Sequence, residues 1–177
     1  MEKSLKSIAT NFGLYLALSL SLITVIAYAV DLNLFVNTWY GISIYIIIIF
    51  FGIYAVAKVK QAFNSYASFK DAFSAYFITI LVGLLVSTVI TYILFNFIDT
   101  DAALVLKEKS IEKLIEVYEN MNLPEDKIAQ MVDKVESENL YSIKNSLIGM
   151  ATSYLLPLSI IGLIVAAAMK KSNPNAE

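Results

Sequence analysis

Charged side chains leave four long gaps along this chain. No Asp, Glu or Lys occurs in residues 7–30, 32–57, 72–98 or 145–169, intervals of 24 to 27 residues. An apolar α-helix of about 20 residues crosses the hydrocarbon core of a bilayer. The gaps therefore predict four membrane spans, at about 8–30, 39–57, 73–97 and 142–169. Span 2 contains the β-branched block IYIIIIFF. In water such a run would suggest a buried strand, but with so few polar neighbours a lipid-facing helix is the simpler assignment. Trp39 and Tyr40, just before it, are the amphipathic rings expected at a membrane interface. Pro157 falls near the middle of span 4 and predicts a kink, because it removes a backbone hydrogen bond.

The first span follows a short basic leader, MEKSLK, and ends near Ala27-Tyr28-Ala29, which imitates a signal-peptide cleavage site. Signal h-regions run about 7–15 residues, whereas this apolar run continues from Phe12 to Val30. An uncleaved span is the expectation.

The polar positions carry their own pattern. Between spans 3 and 4 lies an insert, about 99–141, with helical periodicity. Ile111, Leu114, Ile115, Tyr118 and Met121 form one apolar stripe; after a break at NLP, Ile128, Met131, Val132 and Val135 form another. Pro124 in a first helical turn, followed by Glu125 and Asp126, is a helix start. The insert thus predicts an extramembrane helical hairpin. Neither helix is long enough to be stable alone, so both stripes must pack on each other, on the bundle or on a partner. They are the candidate interaction surface. Before span 3, the stretch SYASFKDAF places Ser68 three residues ahead of Asp71, the spacing of a capping box that opens a helix. Lys70 beside them can snorkel toward headgroups. Upstream, AFNSYAS is predicted to lie along the interface with Phe63 and Tyr66 dipping in.

Lysine placement predicts the topology. The leader, the loop between spans 2 and 3 and the tail carry Lys3, Lys6, Lys58, Lys60, Lys70, Lys170 and Lys171, against Glu2, Asp71 and Glu177. The loop between spans 1 and 2 has no lysine, and the stretch 99–144 has six lysines against eleven acids. The positive-inside rule then puts both termini in the cytoplasm and the insert outside it.

Composition agrees and narrows the chemistry. The 177 residues are 58% hydrophobic and 16% charged, with mean hydropathy +0.69, where soluble domains run near one-half apolar and one-quarter charged. Cysteine, histidine and arginine are all absent. Their absence removes thiolate chemistry, the commonest general base and metal ligand, and the bidentate phosphate clamp. A net charge of −2 offers no basic footprint for nucleic acid. No phosphate loop or nucleophile elbow appears, so no catalytic, cofactor-binding or metal-ligating residue is nominated and the chain is not expected to be an enzyme.

Three constellations remain. Glu108, Glu112 and Glu116, with Glu119 beside them, form a carboxylate ladder on one helical face. It can in principle hold a cation, but the interleaved Lys109 and Lys113 favour a solvated face. The four charge-free intervals contain no Asp, Glu or Lys, only hydroxyls and amides as polar groups, among them Ser21, Thr24, Thr79, Ser87, Thr88, Thr91 and Asn96. These either line a polar path or, more simply, bond within and between helices. Asn11 and Asn145 stand out, since an amide in a span needs a partner. Third are rows of small residues four apart: Ala9, Gly13, Ala17 and Ser21 in span 1, Gly83, Ser87 and Thr91 in span 3, Gly162 and Ala166 in span 4. Such rows let helix backbones approach closely, within the bundle or between copies.

The FKDAF pattern opening span 3, the acidic helical insert and the lysine-ended last span with Asn-Pro behind it resemble domain-of-unknown-function family 4199. These are small four-span bacterial membrane proteins common in Bacteroidota. The resemblance covers essentially the whole chain. It implies a bacterial inner membrane and brings no assigned activity. The expectation is an all-α integral membrane protein in a lipid bilayer, acting as a structural or accessory protein that binds itself, as a homo-oligomer, or other membrane proteins. A small-molecule transporter or channel is the alternative, and an envelope sensor using the acidic insert comes third.

Overall fold

The computed structural model describes residues 4–171; the leader residues before Ser4, with Lys3, and the tail 172–177, with its Asn-Pro motif, lie outside the described residues. The elements in order are α1 (Leu5–Val30), a short 3-10 turn (Leu32–Val36), α2 (Thr38–Ala62), α3 (Phe69–Ile93), α4 (Thr100–Asn120), α5 (Glu125–Ser137), α6 (Ile143–Gly149) and α7 (Leu156–Met169). A π-helical turn, Leu94–Ile98, extends α3, and a second, Met150–Leu155, joins α6 to α7. Four helical stretches are long and apolar enough to cross a membrane: Leu5–Val30, Thr38–Ala62, Phe69–Ile98 and Ile143–Met169. The chain is an all-α multi-pass membrane protein, with the α4–α5 hairpin between the third and fourth spans. Large apolar side chains such as Leu18, Ile46, Phe50 and Ile164 face outward, as lipid-facing surface requires.

Ser68 and Asp71 form the capping box expected from their spacing. The Asp71 N–H donates to Ser68 Oγ at 3.1 Å, and the Asp71 carboxylate accepts from the Ser68 N–H at 3.2 Å and from its hydroxyl at 2.6 Å. The stretch before them departs from expectation. α2 continues past residue 57, through Lys58 and Lys60, to Ala62, and AFNSYAS forms the end of that helix and a turn rather than a separate amphipathic segment. Asn64 and Ser65 take left-handed φ values of 53° and 68°, and the Ser65 N–H donates to the Lys60 carbonyl at 2.9 Å. This is a helix-ending turn in which Asn occupies the position usually held by Gly. The loop is then tied to the end of the fourth span. Ala67 and Lys171 exchange two backbone hydrogen bonds of 3.1 and 2.8 Å, and Lys60 Nζ donates to the Met169 carbonyl at 3.0 Å.

Pro157 acts as a defect that a neighbour repairs. It has no N–H to offer the Ser153 carbonyl four residues back. The Tyr45 hydroxyl on α2 donates to that carbonyl instead, and the Tyr45 ring stacks on Tyr154 with centroids 5.2 Å apart. The distortion appears as the π-helical turn immediately before the proline, rather than as a kink at the proline alone.

α3 is the central helix. Its most extensive interface is with α1, and α2 and α7 close around its other sides, while α6 packs chiefly on α3. The main core, with Leu16, Ile48, Val56, Tyr76, Ile80 and Leu158 fully buried, fills the bundle from its middle toward the chain termini. A smaller core of Leu94, Phe95, Ala102 and Leu106 sits at the base of the hairpin.

Candidate functional site

The small-residue rows position the spans. A Cβ on Gly13 would lie 2.7 Å from the Val82 Cβ, and one on Gly83 would lie 2.5 Å from Leu16 Cδ2. Ala9, Ala17 and Ser21 are buried on the same face of α1, and the Thr79 hydroxyl crosses from α3 to donate to the Ala9 carbonyl at 3.0 Å. The rows of spans 1 and 3 are therefore matched to each other inside one chain. In the fourth span Gly162 and Ala166 are buried, and Gly162 abuts Tyr76. That ring is fully buried between two glycines: a Cβ on Gly52 would come within 2.5 Å of it and one on Gly162 within 2.6 Å. Among the described residues the Tyr76 oxygen has no hydrogen-bond partner. This terminus-side half of the bundle is closed.

Toward the hairpin the bundle opens. A cavity of about 340 Å³ lies between the hairpin-side ends of all four spans. Its floor, nearer the middle of the membrane, is made by Leu20, Ile44, Leu84 and Met150. Its upper wall is polar, with Thr24 on α1, Tyr40 on α2, Thr88 and Thr91 on α3, and Asn145 and Ser146 on α6. Helix direction sets this layering. Along α1 and α3, which run toward the hairpin, the hydroxyls follow the leucines; along α2 and α6, which run away from it, polar residues come first. Ser87 and Thr91 donate to the carbonyls of Leu84 and Ser87 at 3.1 and 3.0 Å. Both oxygens keep acceptor capacity toward the cavity. No lining residue carries a formal charge.

An aromatic cluster beside the cavity, to whose lining it contributes Phe35 and Tyr141, anchors the hairpin. Phe95, on the π-helical turn after α3, packs at 4.6 Å from Tyr141, 5.8 Å from Phe35 and 6.3 Å from Tyr28, centroid to centroid. The Asn96 amide donates to the Tyr141 carbonyl at 2.7 Å. Asn145 donates to the Glu138 carboxylate at 3.2 Å and to the Asn139 carbonyl at 2.9 Å. Asn11 instead lies exposed on α1. Burial holds the Tyr141 hydroxyl in its neutral form, with a pKa pushed up to about 12. Asp99 caps α4 by accepting from the Ala102 N–H at 2.9 Å and also accepts from the Tyr28 hydroxyl at 2.7 Å. Those bonds, the backbone one foremost, hold its carboxyl below the ordinary aspartate range.

In the hairpin, α4 and α5 pack on each other. Ile128 is buried, and Ile111, Leu114, Ile115, Tyr118, Val132 and Val135 are half-buried, while Met131 is exposed. Most of the candidate interaction surface is thus occupied by its own partner helix. Val117, which the predicted stripes omit, and Met121, at the end of the first stripe, are exposed apolar side chains. The carboxylate ladder is solvated: Glu108, Glu112 and Glu116 are exposed, and Lys113 pairs with Glu116 at 2.7 Å. No group of acidic residues suited to a metal ion occurs among the described residues.

Of the hydroxyl and amide residues singled out in the spans, Thr24, Ser87, Thr88, Thr91 and Asn145 meet at the cavity. Tyr45, Tyr76 and Tyr141 escaped sequence reasoning, and Tyr40 was read only as an interface ring. In charge-free spans their hydroxyls are polar groups as demanding as those of Ser and Thr, and that was the available signal.

The family described as "Protein of unknown function (DUF4199)" matches residues 11–171. No curated protein and no solved structure matches the chain.

Proposed function

The chain belongs to the DUF4199 family of proteins of unknown function, and on that premise we propose that it is a non-catalytic membrane protein that binds a small uncharged molecule in its hairpin-side cavity. The uncharged, hydroxyl-lined cavity carries this reading. Ligand sites are typically concave, mostly apolar and fitted with a few convergent polar groups, with volumes of roughly 300–1,000 Å³. The cavity ends at a closed terminus-side core, which favours a binding vestibule, or one side of a transport cycle, over an open channel. The lack of histidine and cysteine supports a role without catalysis. The lysine distribution supports a bacterial inner membrane with cytoplasmic termini and the hairpin outside.

The absence of cysteine makes the test direct. Single cysteines at Thr91→Cys and Ser146→Cys should react with a small membrane-impermeant thiol reagent added from the hairpin side. Thr79→Cys, in the closed half, should not. Equal protection of all three positions would remove the reading. Met121→Cys, at the hairpin tip, reports the orientation in intact cells by the same chemistry.

A second reading, an accessory protein docking on another membrane protein, is favoured by the exposed Val117, Met121 and Met131 of the hairpin. Crosslinking in cells from Met121→Cys tests it. A partner whose capture is lost in a Val117→Ser variant supports it, and crosslinks to lipid alone count against it.

A further inference from the structure

We infer that the hairpin-side cavity takes an uncharged single-chain amphiphile. Its hydroxyl- or amide-bearing head would lie among Thr88, Thr91 and Ser146, and its tail would point toward the bilayer midplane. This inference deepens the proposed function and rests on the cavity being a binding site.

The layering of the walls selects the class. Most of the polar side chains stand in the upper wall, beside Phe35 and Leu140, whereas Leu20, Ile44, Leu84 and Met150 make an apolar floor with Tyr154 at its edge. A compact polar solute would leave its own polar groups unpaired against that floor, at a cost of a few kcal/mol per group. A wholly apolar molecule would leave the upper hydroxyls without partners. A molecule polar at one end and apolar at the other satisfies both, and it enters in the orientation of the lipids in that leaflet.

Charge and size narrow the class further. A charged or zwitterionic head would be desolvated beside a wall with no formal charge, and ions are expensive to bury without a partner. At about 30 Å³ for each water-sized group, 340 Å³ holds on the order of ten such groups. That suits one short chain with a small head better than a whole two-chain lipid.

The packing of the spans supplies a route. α6 lies chiefly against α3, and α2 meets the last span mainly at α7. The Tyr45–Tyr154 stack closes the contact below the cavity. The wall between the first turns of α2 and α6 is therefore the weakest side of the cavity, and it faces the hydrocarbon of the same leaflet.

Photo-crosslinking of the full-length protein in phosphatidylcholine nanodiscs tests the inference. The probe is a medium-chain monoacylglycerol with a diazirine at the tail end; the comparison is a lysophosphatidylcholine of equal chain length. The monoacylglycerol should label Leu84, Ile44 or Met150, and unlabelled monoacylglycerol should compete. Thr88→Phe, which fills the cavity, should reduce that labelling about tenfold. Thr91→Val, which keeps the shape and folds normally, should weaken competition several-fold. Labelling confined to lipid-facing Leu18, Ile46 or Ile164, or equal labelling by the choline-headed probe, would overturn the inference. If Ser146→Cys reacts with thiol reagent and the monoacylglycerol still fails to label, the amphiphile is excluded and the binding site stands. If both fail, the site itself falls. Mass spectrometry of protein extracted without added amphiphile assigns the source. A retained neutral single-chain lipid points to the bilayer; an empty protein that takes up added monoacylglycerol points to a molecule from outside it. A retained two-chain phospholipid, displaced by monoacylglycerol from the cavity residues, overturns the size argument.

Discussion

On the terminus side of the bundle, α3 meets α2 and α7 through a tyrosine ring held between Gly52 and Gly162. Three turns further along, the same helix presents Ser87 and Thr91 to an open cavity. The contrast begins in side-chain size. Where glycines face a large ring, backbones approach and the space fills; where hydroxyl residues and two π-helical turns coincide, they cannot, and a void remains. The filled half has little freedom to change shape, because packed interiors resist volume changes of even one methylene. The open half is where binding has room to act.

The largest expected effect tests what holds the open half open. Phe95→Ala removes the centre of the aromatic cluster beside the cavity, a side chain 1% exposed, and should cost about 3–5 kcal/mol. Its signature is early proteolysis within α4–α5 while α1–α3 stays protected. Next is the closed half. Gly162→Ala drives a Cβ into the Tyr76 ring at 2.6 Å and should destabilise by about 1–3 kcal/mol, read by thermal unfolding in detergent. Tyr76→Phe should act oppositely. By removing an unpartnered buried hydroxyl, it should leave stability unchanged or raise it by up to about 1–2 kcal/mol. A loss on Tyr76→Phe would mean that the oxygen has a partner in the folded protein.

The boundary between the halves is tested by a cycle. Tyr45→Phe strands the Ser153 carbonyl and should cost about 1–2 kcal/mol. In a Pro157→Ala background, where residue 157 regains its N–H, the same change should cost nearly nothing. Equal costs in both backgrounds would show that the tyrosine does not compensate for the proline. The smallest expected effect is on pH dependence at the hairpin base. The Asp99 carboxyl is held below its ordinary value of 3.8 in the folded protein, so the ionised form is the one that folding favours. Its contribution is complete above that ordinary value and is lost as pH falls through the lowered folded value. Proteolytic protection of the hairpin should therefore be flat from neutral pH down to about 4 and decline below it. Asp99→Asn should abolish that decline.

Much of this architecture was legible in the sequence. Charge-free intervals are local properties, and each of the four coincides with a helix because a bilayer offers an unsatisfied backbone no alternative. The Ser68–Asp71 box was legible for the same reason: a cap needs residues only three apart. Gly13 and Gly83 announced close packing by their rows, though not that each row would meet the other. Gly52 belongs to no row, and its role became visible only with Tyr76 beside it. The helix end within AFNSYAS was not legible because Asn64 takes the left-handed position that usually signals itself by glycine. The bridge that holds the loop, to Lys171, lies over a hundred residues away.

By itself, then, the sequence determined that the chain has four spans long enough to cross a bilayer and projects a helical hairpin between the third and the fourth. Those conclusions depend on hydropathy, period and inventory, which neighbouring residues express together. Only the tertiary structure decided which small residues meet, which carbonyl replaces its lost donor with Tyr45, and where the bundle fails to fill. Voids and close contacts are differences between the shapes of facing surfaces, and no single helix carries that information.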